Sequence, residues 1–150
     1  MYRLALHLLR DPHDANDAAQ ESLVKILRTL DRFDERRSFR AWIFQITRNT
    51  CIDEHRRRKR QAWDEAPELA DPAPSPVHLI AKEQSAVVVR RALQQLAPLY
   101  REVLVLYHFE HLKYAEIADV LQIPLGTVMN RIFRARQKFK ELLPEGGERP

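Results

Sequence analysis

Two side chains near the C-terminal end of the sequence, Asn130 and Arg134, are of the types that bind base edges. In the major groove of DNA, asparagine forms paired hydrogen bonds with adenine and arginine does so with guanine. Arg131 and Arg136 suit phosphates, which position a protein on a duplex without reading its sequence. Thr127 can bond a phosphate or cap a first helical turn. These residue types predict a DNA-reading surface, although an amphipathic helix with solvated charges explains the segment taken alone.

A helix must hold these side chains in line, and the apolar residues between them predict one. They recur at spacings of four, three and four, which is the stripe of a single helical face: Val128, Ile132, Ala135 and Phe139. From Tyr114 to Phe139 the pattern predicts a helix, a tight turn and a second helix. This is the helix-turn-helix that enters the major groove. Gln122 falls in the turn, where a left-handed backbone would cost about 1 kcal/mol.

Aromatic and cationic residues also alternate in the first half of the sequence, from Phe39 to Arg60. Such interleaving suits single-stranded nucleic acid, in which bases stack and phosphates pair with cations. We expect one long helix here, capped by Ser38, with an apolar face made of Phe39, Trp42, Ile43 and Ile46. The competing interpretation makes Trp42 a core residue. It also makes the basic run from Arg56 to Arg60 a solvated helix end, favoured by the helix dipole.

Two shorter helices are predicted to precede this one. The first covers roughly residues 2–9 and ends at the Asp11-Pro12 break, because the residue before a proline disfavours helix. Asp14 is expected to cap the second helix. The buried stripe of that helix would consist of Leu23, Ile26, Leu27 and Leu30.

An acidic, proline-rich segment divides the sequence, with prolines at Pro67, Pro72, Pro74 and Pro76. In the second half, a helix over about 80–96 would turn Leu93 and Leu96 inward. Pro98 would begin a further helix that ends near Phe109. We therefore predict two small helical domains at 1–62 and 79–143, a flexible linker at 63–78 and a tail at 144–150.

The composition supports an all-α protein that binds polyanions. A hydrophobic content of 45% over 150 residues supplies a core, and the 3 glycines and few β-branched runs favour helix. Residues 1–60 carry 14 basic against 9 acidic residues (net +5), and residues 61–79 carry none against 4 (net −4). Residues 80–150 carry 11 against 8 (net +3). Two basic blocks around an acidic connector predict two polyanion-binding surfaces.

Several classes of protein are disfavoured by what the sequence lacks. Cys51 is the single cysteine, so no intramolecular disulfide can form, and we expect it in the core. His108 and His111 lack a third ligand at suitable spacing, so we predict no metal site. No apolar run approaches the roughly 20 residues of a membrane span, and no signal peptide is recognisable. We predict a cytoplasmic protein that is not an enzyme and has no cofactor, since no nucleophile–base pair or phosphate-binding glycine loop occurs.

Segments in both halves of the sequence resemble a known family. The segments Asp14–Glu21, Leu30–Phe33 and Ser38–Asp53 are similar to the second conserved region of extracytoplasmic function (ECF) sigma factors. The segment from Leu96 to Gln137 resembles their fourth region. The order and separation of the two regions match, with a proline-rich linker between them.

The resemblance implies a dissociable subunit of bacterial RNA polymerase that binds the core enzyme, recognises promoter DNA and is held inactive by an anti-sigma factor. Contacts with core polymerase would involve the β′ clamp helices and the β subunit, and on this chain Asp14, Asp17, Gln20 and Glu21. The −10 element, read as opened strand, would contact Phe33, Asn49 and Asp53, with Arg56 and Arg57 from the basic run. The −35 element, read as duplex, would contact Asn130, Phe133 and Arg134 in the groove, with Thr127, Arg131 and Arg136 nearer the backbone.

The chain departs from the family pattern at several positions. Met129 replaces a usual cation at the head of the recognition helix, so we expect a non-standard target sequence. His111 and Gln122 stand where glycine is common, and few residues precede Tyr2, which is expected of a shortened or late-started chain. Two other functions remain open from the residues themselves: a stand-alone helix-turn-helix regulator, and an interaction module that binds no DNA.

Overall fold

A computed structural model describes residues 1–64 and 81–143, with side chains at 1–60 and 86–143. Within these ranges the regular elements are all helical, as predicted for an all-α protein. The α-helices are α1 (Tyr2–Leu9), α2 (Pro12–Thr29), α3 (Phe39–Asp64), α4 (Ala81–Gln95), α5 (Pro98–Leu104), α6 (Tyr114–Leu121) and α7 (Leu125–Leu142). No helix in the described part of the chain has both the length and the apolarity to cross a membrane.

The domain boundaries are only partly covered by these ranges. Residues 63–64 of the predicted linker belong to the last turn of α3, so this helix extends beyond the predicted end near residue 60. The remainder of the predicted linker up to residue 78 lies outside the described residues, as does the tail at 144–150.

The start of α2 differs from the prediction, because Asp11 is its N-cap and Asp14 is not. The Asp11 carboxylate accepts a hydrogen bond from the Asp14 backbone N–H at 2.9 Å. Pro12 occupies the first helical position. A backbone N–H at that position has no acceptor within the helix, so the absence of an N–H in proline costs no hydrogen bond. Asp11 itself is extended, as a cap residue before proline must be. The end of α1 was predicted correctly, and Arg10 closes it in a left-handed conformation with φ of 62°.

The predicted buried stripe of α2 is wrong for three of its four residues. Ile26 is buried, whereas Leu23, Leu27 and Leu30 are 47%, 64% and 46% exposed. The face that packs on α1 and α3 is instead made mostly of small residues: Ala15, Ala18 and Ser22. Small side chains let neighbouring helices approach closely, so the larger leucines point away from the core.

Ser38 caps α3 as predicted, and its hydroxyl accepts a hydrogen bond from the Ala41 N–H at 3.3 Å. The predicted apolar face is wrong in register, because Phe39 is 44% exposed and the other members are only partly buried. The residues that α3 buries are Ala41, Phe44, Thr47, Thr50 and Cys51. The Cys51 thiol is 1% exposed, and its burial raises its pKa to about 12, which confirms a core role.

The second half of the chain was predicted more accurately. Leu93 and Leu96 are buried, and Pro98 begins α5 as expected. A π-helical turn over Val105–Phe109 carries the chain on from α5. Arg101, only 5% exposed, donates hydrogen bonds to carbonyls at the C-terminal end of α4, those of Leu93 at 2.9 Å and Leu96 at 2.8 Å.

The two halves pack directly on one another and share one hydrophobic core. Leu4 and Phe44 of the first half belong to the same buried cluster as Leu106 and Ile117 of the second. Polar contacts surround it: the Ser38 hydroxyl donates to the Glu116 carboxylate, and Arg48 pairs with Glu102. Arg3 donates to the Phe109 carbonyl at 3.0 Å, and Arg101 reaches the His7 carbonyl at 3.4 Å. The sequence indicated only a flexible linker between the halves and did not predict this direct packing, which we call the closed arrangement.

Candidate nucleic-acid interface

Helices α6 and α7 form the predicted helix-turn-helix. The Glu116 carboxylate reaches back to accept from the Lys113 N–H at 2.8 Å, which closes the first turn of α6. Gln122 ends α6 in the left-handed region with φ of 55°, the conformation expected of this turn. Val128, Ile132 and Ala135 are fully buried against the core. The apolar stripe therefore fixes which side of α7 faces outward.

The outward side of α7 carries the three residues predicted to face the groove. Asn130, Phe133 and Arg134 are all exposed, and the Phe133 ring is 63% exposed although it is large and apolar. Thr127 and Arg131 lie at the margin of this surface and are half-buried. Both flank the exposed centre, in keeping with the backbone contacts predicted for them.

Arg136 lies on the other flank of α7, over an aromatic ring. Its guanidinium carbon is 5.2 Å from the ring centroid of Tyr107, which belongs to the π-helical turn. Tyr107 and Arg136 line a concavity together with His108, His111 and Lys113. Burial, and then the nearby Arg136 guanidinium, lower the pKa of His108. The concavity is cationic and aromatic, which suits an anion such as a phosphate.

Two exposed apolar residues on α7 complete the outward surface. Leu125 is 48% exposed and Met129 is 53% exposed, and with Phe133 they follow one another at four-residue intervals. Met129 was noted in the sequence as a departure from the family, whereas Leu125 was missed. The four-residue spacing up to Phe133 was the signal that would have found it.

The first half contributes a cluster of three aromatic rings at the start of α3. The Phe33 ring centroid lies 5.1 Å from that of Phe39 and 5.0 Å from that of Trp42. Trp42 is half-buried here, so it is neither a core residue nor a free stacking platform. Phe39 was predicted to be buried but leaves an exposed apolar surface at the edge of the cluster.

Polar residues follow along the outer side of α3. Asn49, Asp53, Arg56 and Arg57 are all exposed, as the predicted contact with an opened strand would require. Asp53 and Arg56 line a shallow groove together with Lys59 and Arg60. Arg57 is engaged in an ion pair with Glu54 at 2.6 Å. The structure thus brings Asp53 and Arg56 together and leaves Arg57 partly committed within its own helix.

The four residues predicted to bind polymerase do not share one environment. Asp17, Gln20 and Glu21 are exposed on α2, and Glu21 pairs with Lys25 at 2.7 Å. Asp14 is 7% exposed and forms an ion pair with Arg58 of α3. Burial raises the pKa of the Asp14 carboxyl despite this partner. In this arrangement Asp14 joins α2 to α3, and only the other three are available on the surface.

The exposed leucines of α2 form a second surface next to those residues. We call Leu23, Leu27 and Leu30 the leucine stripe; with the 45% exposed Val24 they make a continuous apolar patch. Sequence reasoning recognised the stripe but placed it in the core. Exposed apolar side chains grouped on one helix face are typical of a surface that another macromolecule covers.

A metal centre finds no support in the described residues, where no three metal-ligating side chains converge. His111 follows the π-helical turn in a left-handed conformation with φ of 53°, and so does not continue the helical face of His108.

Comparison with known proteins covers both halves. Residues 1–61 match the family model for Sigma-70 region 2, and residues 86–139 match that for Sigma-70 region 4. The chain is 35% identical to the ECF RNA polymerase sigma factor SigE of Mycolicibacterium smegmatis, over 95% of this chain and 57% of that protein. It is 30% identical to the ECF RNA polymerase sigma factor SigM of Bacillus subtilis, over 97% of this chain and 90% of that protein.

A solved structure resembles the fold over almost the whole chain. This is the sigma factor RpoE of Bartonella quintana, determined in complex with the anti-sigma factor NepR. The TM-score is 0.77 at 26% identity, covering 97% of this chain and 91% of that one. The similarity includes both halves and hence their relative placement.

Proposed function

Because the chain belongs to the extracytoplasmic function sigma factors, we propose that it directs the core of bacterial RNA polymerase to specific promoters and starts transcription there. In this role α7 reads the −35 element as duplex, and the outer side of α3 holds the opened strand of the −10 element. Since the polymerase works in the cytoplasm, we expect the protein there. We propose no catalytic role and no cofactor.

The observation that carries this proposal is the leucine stripe on α2. A helix-turn-helix regulator acting alone needs α6 and α7 and has no use for a second apolar surface on α2. A polymerase subunit does need one, because it must hold a large protein partner. Asp17, Gln20 and Glu21 lie on the same helix and supply the polar rim that such interfaces have.

Within this proposal the DNA-contacting side chains divide by chemistry. Asn130 and Arg134 bind base edges, and Arg131 and Arg136 bind phosphates. Phe33 supports a base extruded from the −10 element, since extrusion costs a few kcal/mol and needs a stacking partner. Asn49 and Asp53 bond the opened strand, and Arg56 neutralises its phosphates.

Reconstitution with core polymerase tests the proposal. Core enzyme plus this protein is incubated with a genomic fragment library, and promoters are detected by transcript sequencing. We expect specific start sites that core enzyme alone does not produce. Failure to open any promoter, with a control sigma factor active on the same core preparation, would contradict the proposal.

The alternative, a regulator that binds DNA by itself, predicts a different result. It requires nanomolar, sequence-specific duplex binding by the free protein, whereas a single small helix-turn-helix binds weakly unless it is dimeric. An interaction module would not bind the duplex, and it would bind its own partner without steep salt dependence. Steep salt dependence is expected only where cations neutralise phosphates. Titration of the free protein against duplex at two salt concentrations separates these outcomes.

We also propose control by an anti-sigma factor that keeps the two halves closed. The closed arrangement seen here is similar to that of a sigma factor bound to its anti-sigma factor. Such a partner would bind the surfaces that polymerase needs, so the two should compete. Purification of the tagged protein from cells should yield a partner that core polymerase displaces, and recovery of polymerase subunits alone would contradict this.

A further inference from the structure

The recognition helix α7 carries a row of exposed apolar side chains that the fold does not need. Leu125, Met129 and Phe133 are 48%, 53% and 63% exposed and lie at four-residue spacing, which makes them one ridge. The packing of α7 comes from the adjacent side of the helix, through Val128 and Ile132. We call these three exposed residues the apolar ridge.

A polar row runs beside the apolar ridge on the same outward surface. Asn130 and Arg134 follow Met129 and Phe133 by one position each, about 100° further around the helix. Gly126 begins this row, and a Cβ added there would meet nothing within 4 Å. The outward surface of α7 therefore presents hydrogen-bonding groups on one side and apolar groups on the other.

The charge of α7 indicates what this surface meets. Between Leu125 and Leu142 the helix carries five cations and one acid, Glu141. An apolar ridge beside such a charge excess fits a polyanion that also offers apolar groups. Duplex DNA meets this description, since the C5-methyl group of thymine is the apolar group on the base edges of its major groove.

We propose that the apolar ridge, centred on Met129, reads thymine methyl groups in the −35 element, next to the purines read by Asn130 and Arg134. This inference rests on the proposed function and adds a specificity to it. An unbranched thioether adapts its shape to a methyl group, and it offers no donor to guanine. The element should therefore hold thymine at positions facing Met129.

Replacing thymine by deoxyuridine tests this, because it removes the methyl group and leaves every hydrogen-bonding atom in place. Full-length protein with core polymerase is bound to a promoter found by reconstitution, with each thymine of the −35 element replaced in turn. Burial of one methyl group corresponds to about a fourfold change in affinity. We expect about that loss at one or two of the replaced positions, and no loss at the others.

Variants at Met129 connect the loss to this side chain. Met129→Ala should bind thymine and deoxyuridine promoters equally at the sensitive positions. Met129→Arg should favour guanine there, since arginine pairs with its O6 and N7. The side chain is more than half exposed, so neither change should alter the fold, and circular dichroism checks this. Leu99→Ala, at a 41% exposed leucine on α5, is the matched control and should retain the methyl preference.

On an opened promoter, either of two results would overturn the inference: equal affinity for thymine and deoxyuridine at every position, or a methyl preference that persists in Met129→Ala. Both leave promoter opening intact, so they are distinct from failure of the proposed function. If no promoter is opened, the same replacement is made in duplexes that the free protein selects from a random pool. Selection of no duplex at all would also reject the inference.

Discussion

Arg48 of α3 and Glu102 of α5 join the two halves of the molecule through a two-point ion pair. The Arg48 Nε lies 2.6 Å from Glu102 Oε1, and a second guanidinium nitrogen lies 3.4 Å from Oε2. Glu102 is largely buried, with a side chain 9% exposed, while that of Arg48 is 24% exposed. A buried carboxylate with one cationic partner depends on that partner, so this pair opposes separation of the halves.

Glu102→Gln should therefore loosen the closed arrangement. The change removes the charge and keeps the shape of the side chain. We expect the free energy of unfolding in urea to fall by about 1–3 kcal/mol. The loss should lie towards the lower value, because solvent around the partly exposed Arg48 weakens the ion pair. The radius of gyration from small-angle scattering should rise. Glu21→Gln is the control, since its exposed pair with Lys25 is expected to contribute only about 0.3–0.5 kcal/mol. Equal losses from both variants would show that the Arg48 pair does not hold the halves together.

Leu27→Glu should abolish binding to core polymerase without unfolding the protein. Leu27 is the most exposed member of the leucine stripe, so a charge there leaves the core untouched. Binding of the −35 duplex should be unchanged. Arg134→Ala is the reciprocal variant: it should retain core binding, measured by gel filtration, and lose DNA affinity. Joint loss of both activities in Leu27→Glu would contradict separate surfaces.

Arg134→Ala and Arg136→Ala should differ in kind as well as in size. Loss of a base contact at Arg134 should cost about 1–3 kcal/mol and relax one base position. Arg136 lies over the Tyr107 ring. Arg136→Ala should weaken binding to all sequences alike and lower the salt dependence of binding. Affinity for a panel of single-base promoter variants measures both. Equal relaxation by the two variants would reject these roles.

The protein should become less stable as the pH drops below about 6.5, because of His7. This ring packs on Phe109 with centroids 5.6 Å apart, at the contact between the halves. Burial, and then Arg101, Arg90 and Arg3, lower the pKa of His7 from 6.5. As the pH falls from 6.5 towards that lowered pKa, the unfolded chain binds a proton that the folded chain does not, so stability is lost.

Urea unfolding between pH 7.5 and 5.5 measures the effect. His7→Gln should reduce its slope with pH. The pKa of His108 is also lowered, so His108→Gln serves as the comparison and the double variant should be the flattest. An NMR titration that finds His7 protonating above pH 6.5 in the folded protein would refute the prediction.

Helical periodicity predicted the second half of this fold better than the first, and the difference has a physical cause. The stripe through Val128 and Ile132 meets a core formed by the same chain, and it is buried. The leucine stripe has equal regularity and is exposed. Spacing identifies an apolar face, but it does not say whether the surface that covers it belongs to this chain or to another.

Other errors arose where two local signals competed or where the contact is distant in sequence. Asp11 and Asp14 are both suitable N-caps, and Pro12 at the first helical position decides for Asp11. The pairing of Arg48 with Glu102 joins positions 54 residues apart, and nothing local marks it. The outward-facing side chains of α7 could be predicted in detail, because a single helix is a local structure with fixed periodicity.

The two sides of α2 also bear on how the protein behaves when it is in excess. Its packing side is made of small residues, whereas its leucine stripe offers apolar surface with no partner in the described part of the chain. Such a patch favours self-association and aggregation when the proteins that bind it are scarce. We therefore expect the free protein to be the aggregation-prone form, and its usable amount in a cell to be limited by the supply of partners that cover α2.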